Sequence, residues 1–354
     1  MKASSTLRVE NSQLAGKKVL VTGSGGFIGA KVVELLLEYG VTDLRCFVRP
    51  SSNRTRLDKV LSGCAASTRV EVISGDLLSP ADCRRAVAGV SIVYHLAAGV
   101  EKSFAGAFMN SALATRNLAE AFLEAGSPER FVSVSSFAVY SNRHLRRGDV
   151  LDESCPIEDA SQERYDPYGF GKICQDRLIM QYGKERGLPF VILRPGTVFG
   201  PGRAALSGRV GVDTFGVFLH MGGSKRLPLT YVDNCAEAIV LAGFRPGVIG
   251  EVFNVVDDEL LGSGEFLRRY KKAVGGFTSL PVPYFLAMAL SRFWEWYARW
   301  SQGQLPPVFN RRRCAAEWMG NRYSNRKLRE RLDWKPRVSM NQGMELFLAQ
   351  FSSR

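Results

Sequence analysis

Tyr168 and Lys172, in Tyr168-Gly169-Phe170-Gly171-Lys172, set a phenol and an ammonium four residues apart. On a helix they share one face. Asp166 and Pro167 supply an N-cap and a proline for the first helical position, so the spacing predicts a helix starting there. A free tyrosine titrates near pH 10, at roughly its model value. A neighbouring ammonium, together with a cationic nicotinamide ring, is expected to stabilise the phenolate and lower that pKa. Such a phenolate takes a proton from a secondary alcohol while hydride leaves the alcohol carbon. Ser135 and Ser136 follow an apolar run and can hydrogen-bond the same oxygen. Taken alone, Y-x-x-x-K describes many solvated helix faces. It gains weight here by following a glycine loop and a strand-end serine.

The hydride needs a carrier. Thr22-Gly23-Ser24-Gly25-Gly26-Phe27-Ile28-Gly29 joins an apolar strand to a helical segment. Gly23, Gly26 and Gly29 permit a tight turn and let backbone approach a pyrophosphate, while the helix N-terminus offers free N–H groups. Phe27 and Ile28 belong to the same cofactor-binding stretch. The second strand ends Cys46-Phe47-Val48-Arg49-Pro50. An acid at its end would bind a ribose 2′-hydroxyl, whereas an arginine accommodates a 2′-phosphate. Arg49 stands there, so NADP is expected in preference to NAD. Asp76-Leu77 follows the third strand; its carboxylate either accepts the adenine amino group or N-caps the next helix.

The elements that must position these groups alternate. Apolar runs at 17–22, 44–48, 70–74, 90–96, 130–135 and 190–193 read as strands, with helix-period apolar positions over 27–38. Strands separated by helices imply a parallel sheet covered on both faces, which binds ligands at the strands' carboxyl ends. The fold class is therefore α/β, a Rossmann-type doubly wound sheet. The dinucleotide-binding domain is placed at 15–195, with 232–256 returning to it. A smaller interleaved substrate domain takes 196–231, rich in Gly and Pro, and 257–354, mostly helical.

The 354 residues hold 45% hydrophobic and 23% charged residues, which excludes bulk disorder. The net charge of +13 permits an anionic ligand or surface. Seven cysteines without a C-x-x-C pair read as reduced thiols of a cytoplasmic protein, and no metal site is expected. Residues 1–14 lack the apolar core of a signal peptide, and no run of 18 apolar residues occurs. Residues 302–340 carry ten Lys/Arg against three Asp/Glu, but no nucleic-acid motif accompanies them, so they read as a solvated basic surface.

Further segments complete a pattern: His95-Leu96-Ala97-Ala98, Ser135 to Tyr140, Leu193 to Gly202 (L-R-P-G-T-V-F-G-P-G), Tyr231-Val232-Asp233-Asn234 and Leu332 to Ser339 (L-D-W-K-P-R-V-S). With the glycine loop, Asp76-Leu77 and Tyr168 to Lys172, the chain resembles the extended short-chain dehydrogenase/reductases, the NAD(P)-dependent epimerase/dehydratase group. The resemblance covers nearly the whole chain. It implies Tyr168 as catalytic acid/base, Lys172 as the ribose-binding group that tunes it, and Ser136 as the third catalytic residue, with Ser135 as the fallback. It implies that Leu96, Ala97 and Ala98 line the cofactor and that Pro195 to Val198 border the nicotinamide. His95, Asn110 and Thr115 take structural roles, and a homodimer is expected.

The substrate is read from departures within the family. Sugar-nucleotide dehydratases resemble this chain but carry an Asp-Glu pair where Phe137-Ala138 stand, and neither of these exchanges a proton. Nucleotide-sugar epimerases carry an arginine where Leu227 stands; Arg226 could substitute, and Arg203 and Arg209 are further anion-binding candidates. The leading expectation is hydride transfer on a sugar or an anionic sugar nucleotide. The alternative is an apolar ring alcohol or ketone, because the chain also resembles 3β-hydroxysteroid dehydrogenases and dihydroflavonol reductases. A cofactor-binding regulatory sensor is the alternative from another class, disfavoured by the intact Tyr168 and Lys172. Within 283–300, Leu286, Leu290, Phe293, Tyr297 and Trp300 recur at helical spacing. They read as core or lid packing, with a helix lying on a membrane surface as the alternative.

Overall fold

A computed structural model describes residues 16–352 apart from Val100, Ser127, Ala204, Ala205 and Gly303. The segment read above for a signal peptide lies outside the described residues. Seven strands form one sheet: β1 (Lys18–Thr22), β2 (Asp43–Val48), β3 (Arg69–Ser74), β4 (Ile92–His95), β5 (Arg130–Val134), β6 (Phe190–Pro195) and β7 (Val252–Val255). Their spatial order is β7-β6-β5-β4-β1-β2-β3, and every pairing is parallel. The order reverses at β1, which pairs β2 on one side and β4 on the other. A crevice opens beyond the carboxyl ends of β1 and β4, where the chain leaves toward opposite faces.

Alternation along each strand feeds two cores. Val19, Val21, Ile92, Tyr94, Val132 and Val134 face one; Leu20, Val93, Phe131 and Ile192 face the other. The principal helices are α1 (Phe27–Glu38), α2 (Pro80–Val87), α3 (Ala114–Glu124), α4 (Pro167–Arg186), α5 (Val232–Phe244), α6 (Ser263–Ala273), α7 (Tyr284–Trp300), α8 (Arg311–Trp318) and α9 (Met340–Ser352). α1 matches its predicted span. α5 opens the 232–256 stretch expected to return to the dinucleotide-binding domain, and all its residues but Asp233 are buried. A helix buried on every side shows no amphipathic period.

The Gly- and Pro-rich stretch after β6 is built of short strands. Thr197–Phe199 pairs with Leu229–Tyr231, and Gly211–Thr214 forms a hairpin with Val217–His220, to which Ser279–Pro281 adds. α7 rests on this small sheet and on α8 through Ala287, which clusters with Met221, Cys314 and Trp318. The expectation that its apolar stripe packs inward is overturned: Leu286, Leu290, Phe293 and Trp300 are exposed. Small residues, Ala287, Ser291 and Ala298, are the ones it buries. All seven cysteines are free thiols, and no helix among the described residues is long and apolar enough to cross a membrane.

Candidate active site

The glycine loop is backbone folded tightly on itself. Gly26 N–H donates to Gly23 O at 3.0 Å. Gly23 adopts φ +69°, and a Cβ there would lie 2.8 Å from Ala97 N; a Cβ on Gly29 would lie 2.1 Å from Gly23 O. Only glycine meets both demands. α1 starts from Gly26 with no side-chain cap, leaving its first N–H groups to a ligand. They border a cleft of about 420 Å³ lined by Gly23, Gly25, Gly26, Arg49, Asp76, Leu77, Leu96, Ala97, Ala98 and Asn110. Its close-approach backbone and free amides fit a dinucleotide. Phe27 lines a separate surface depression with Lys31 and Tyr231, and Ile28 packs on the core, so both adjoin the cleft through backbone alone.

At the rim, Arg49 is exposed beside Ser51, Ser52, Asn53 and Arg56, with no carboxylate at the end of β2. Asp76 lines the cleft while its carboxylate accepts Leu78 N–H at 2.9 Å. The N-cap of α2 is Ser79, which accepts Asp82 N–H.

A buried chain of polar groups ties β1, β4 and the segment before α3 together. Thr115 Oγ1 donates to Ser111 O, so it accepts from His95 Nε2 at 2.8 Å. His95 Nδ1 then accepts from Thr22 Oγ1 at 2.8 Å, and Thr22 Oγ1 accepts Ala97 N–H at 3.3 Å. Burial holds the imidazole neutral, its pKa pushed down to about 3, with the charge of Lys172 adding to the effect. His95 thus positions the backbone that lines the cleft.

α4 begins as its sequence predicts: Asp166 accepts Gly169 N–H at 3.0 Å and Pro167 takes the first turn. Gly171 packs so closely that a Cβ would lie 2.8 Å from Ala107 O. Ser136, whose hydroxyl accepts Ala138 N–H and N-caps the short turn at Phe137–Val139, is among the groups that act on the Tyr168 phenol. Lys172 is buried; Nζ donates to Val134 O at 2.7 Å and Gln175 Oε1 at 2.9 Å. Burial lowers its pKa to about 8, opposed by Asp176.

The protein's own groups oppose ionisation of Tyr168, before any contribution from a cationic nicotinamide. Burial raises the phenol pKa above 10 and outweighs the opposing hydrogen bond from Ser136 and the positive charge of Arg203. The ammonium of Lys172 gives two of its three N–H groups to Val134 O and Gln175 Oε1. The phenol is therefore protonated at neutral pH.

The other candidates fall at differing places. Ser135 is buried beside Asp176. Arg203 is exposed and donates to Val198 O at 3.3 Å, and Pro195 is buried at the end of β6. Val198 and Arg203 share a cavity of about 70 Å³ with buried Leu227. Arg209 donates to Ala316 O, while Arg226 is exposed and tied to Leu260 O.

Several groups escaped the sequence reading. Arg164 is buried and clamps the loop after Ser136 through Ala138 O and Tyr140 O. Gln175 bridges Lys172 to Ser133 Oγ. Asp176 pairs with Arg194 at 2.9 Å, whose guanidinium also lies over the Tyr140 ring. A π-helical turn at Phe108–Leu113 carries Asn110 into the cleft. Such turns often mark functional sites, but no composition cue announces one.

Fold and loop define a dinucleotide-binding enzyme of Rossmann type. The profile of the NAD dependent epimerase/dehydratase family matches residues 19–255. An uncharacterised UDP-glucose epimerase of Bacillus subtilis is 30% identical over 67% of this chain and 76% of its own length. A 3-beta-hydroxysteroid dehydrogenase of Mycolicibacterium neoaurum is 26% identical over 92% of this chain and 89% of its own. The crystal structure of a UDP-glucuronic acid 4-epimerase of Bacillus cereus, a mutant in complex with UDP-4-deoxy-4-fluoro-glucuronic acid and NAD, superposes with a TM-score of 0.70 at 23% identity, over 95% of this chain and 99% of that one. The chain belongs to the NAD dependent epimerase/dehydratase family, within the extended short-chain dehydrogenase/reductases.

Proposed function

We propose that this protein transfers hydride between a nicotinamide cofactor and a secondary alcohol or ketone, with Tyr168 as the proton donor and acceptor. The observation that carries the reading is the Tyr168 phenol, with Ser136 among the groups that act on it, set one helical turn before the buried Lys172. The nicotinamide, when bound, gives or takes the hydride. Ser136 hydrogen-bonds and orients the substrate oxygen. Tyr168 Oη delivers its proton to that oxygen on reduction and takes it back on oxidation. Reduction uses the protonated phenol, and oxidation its ionised form. Lys172, anchored on Val134 O at the end of β5, holds a positive charge beneath the site and is available to a ribose hydroxyl. NADP is the preferred cofactor, supported by Arg49, Ser51 and Ser52 at the cleft rim.

A sugar or sugar nucleotide is the first substrate class, supported by the UDP-glucose epimerase relative and by Arg203, whose positive charge acts on the phenol. A second reading, an apolar ring alcohol or ketone, draws on buried Leu227 and on the steroid dehydrogenase likeness through the C-terminal part of the chain. Net NAD(P)H absorbance separates them. Interconversion of a sugar nucleotide without net absorbance change marks an epimerase; stoichiometric cofactor turnover with a ring ketone marks a reductase. If Tyr168→Phe left turnover intact, the acid/base assignment would fail and a cofactor sensor would take its place.

A further inference from the structure

α7 turns two neighbouring ridges outward. Leu286, Leu290, Phe293, Tyr297 and Trp300 form one; Phe285, Ala289, Arg292, Trp296 and Arg299 form the other. Phe285 is 75% exposed, Phe293 58%, Trp296 54% and Trp300 68%. Water faces this aromatic stripe while the helix buries mainly Ala287, Ser291 and Ala298. Single exposed apolar side chains need no explanation, but a continuous stripe of this kind marks a contact surface. Among the described residues no helix is long and apolar enough to cross a bilayer, so the stripe does not belong to a spanning segment.

Charge selects the occupant. The only carboxylate of α7, Glu295, is ion-paired with Arg311 at 2.8 Å. Arg292 and Arg299 therefore edge the aromatic face without a neutralising acid on their own helix, on a chain of net charge +13. A two-fold contact with a second copy would bring cationic faces together. An anionic bilayer surface compensates them and accepts Trp, Tyr and Phe at headgroup depth.

We propose that α7 is an interfacial helix that docks the protein on anionic phospholipid surfaces, its aromatic ridges at the headgroup boundary and Arg292 and Arg299 against lipid phosphates. This goes beyond the hydride-transfer reading and stands independently of it. The probe is the full chain with phosphatidylcholine vesicles, with or without about one third phosphatidylglycerol. Expected are co-sedimentation with the anionic vesicles alone, and quenching of tryptophan emission by brominated acyl chains. Trp296→Ser with Trp300→Ser should weaken binding by roughly tenfold or more, through lost apolar burial. Arg292→Glu with Arg299→Glu should abolish it. Both double variants alter exposed positions, so circular dichroism and cofactor binding should match the parent. Three results would overturn the proposal. The folded parent stays in the supernatant with both vesicles; the Arg292→Glu/Arg299→Glu protein binds as tightly as the parent; or a lipid-free dimer dissociates on Trp296→Ser/Trp300→Ser, which assigns the face to a second copy.

Discussion

Tyr168→Phe removes one oxygen and leaves α4 packed. Turnover is expected to fall by about 10²–10⁴, with cofactor affinity unchanged in a fluorescence titration; a parallel loss of affinity would mean a structural fault instead. His95 offers a test that does not touch chemistry. Its folded pKa is near 3 against 6.5 when unfolded, so between these values the unfolded chain binds the extra proton. Stability is thus lost as pH falls below 6.5, by at most about 1.4 kcal/mol per unit. His95→Gln should flatten that slope in urea midpoints between neutral and acid pH; parallel slopes for the two proteins would reject the buried neutral imidazole. At this scale the sequence exposed Tyr168, Lys172, Ser136 and the three glycines, since a fixed local spacing carries them. It hid Arg164 and Gln175, whose partners lie 26 and 42 positions away. It also did not show that burial raises the phenol pKa, because burial depends on neighbours that local spacing does not name.

Helix α4 is held at its start by one carboxylate, Asp166 on Gly169 N–H. Asp166→Ala should cost about 1 kcal/mol of stability and reduce turnover by loosening Tyr168, read as a lower melting temperature alongside a lower kcat; Asp166→Ser should restore both in large part. Gly29→Ala places a methyl 2.1 Å from Gly23 O, so the loop must open. Loss of cofactor binding by calorimetry, with the fold retained, is the expected result. Elements with a clear period, such as α1 and the sheet strands, were legible in sequence. α5 blurred because it is buried on nearly every side, the π-turn at Phe108–Leu113 has no compositional mark, and α7 misled. Its period was sound, but the period alone does not say whether the stripe faces protein or solvent.

Across the whole molecule, Asn234 joins distant parts. It accepts Val338 N–H at 2.9 Å, donates to Val338 O at 2.8 Å and to Asp257 Oδ2 at 3.0 Å, and its own carbonyl accepts the indole N–H of Trp334. Asn234→Ala should cost about 2–4 kcal/mol, read in urea unfolding; a change within a few tenths would show that the closing segment packs without this residue. Both motifs stood in the sequence, Tyr231 to Asn234 and Leu332 to Ser339, yet their contact spans 104 positions, and no spacing rule links them. The pairing of β7 with β6 across the intervening 196–251 stretch has a practical consequence. A chimaera that borrows another relative's specificity cannot be assembled at a single splice point. It needs two grafts, one on either side of α5 and β7, and each must keep its grip on the residues left behind.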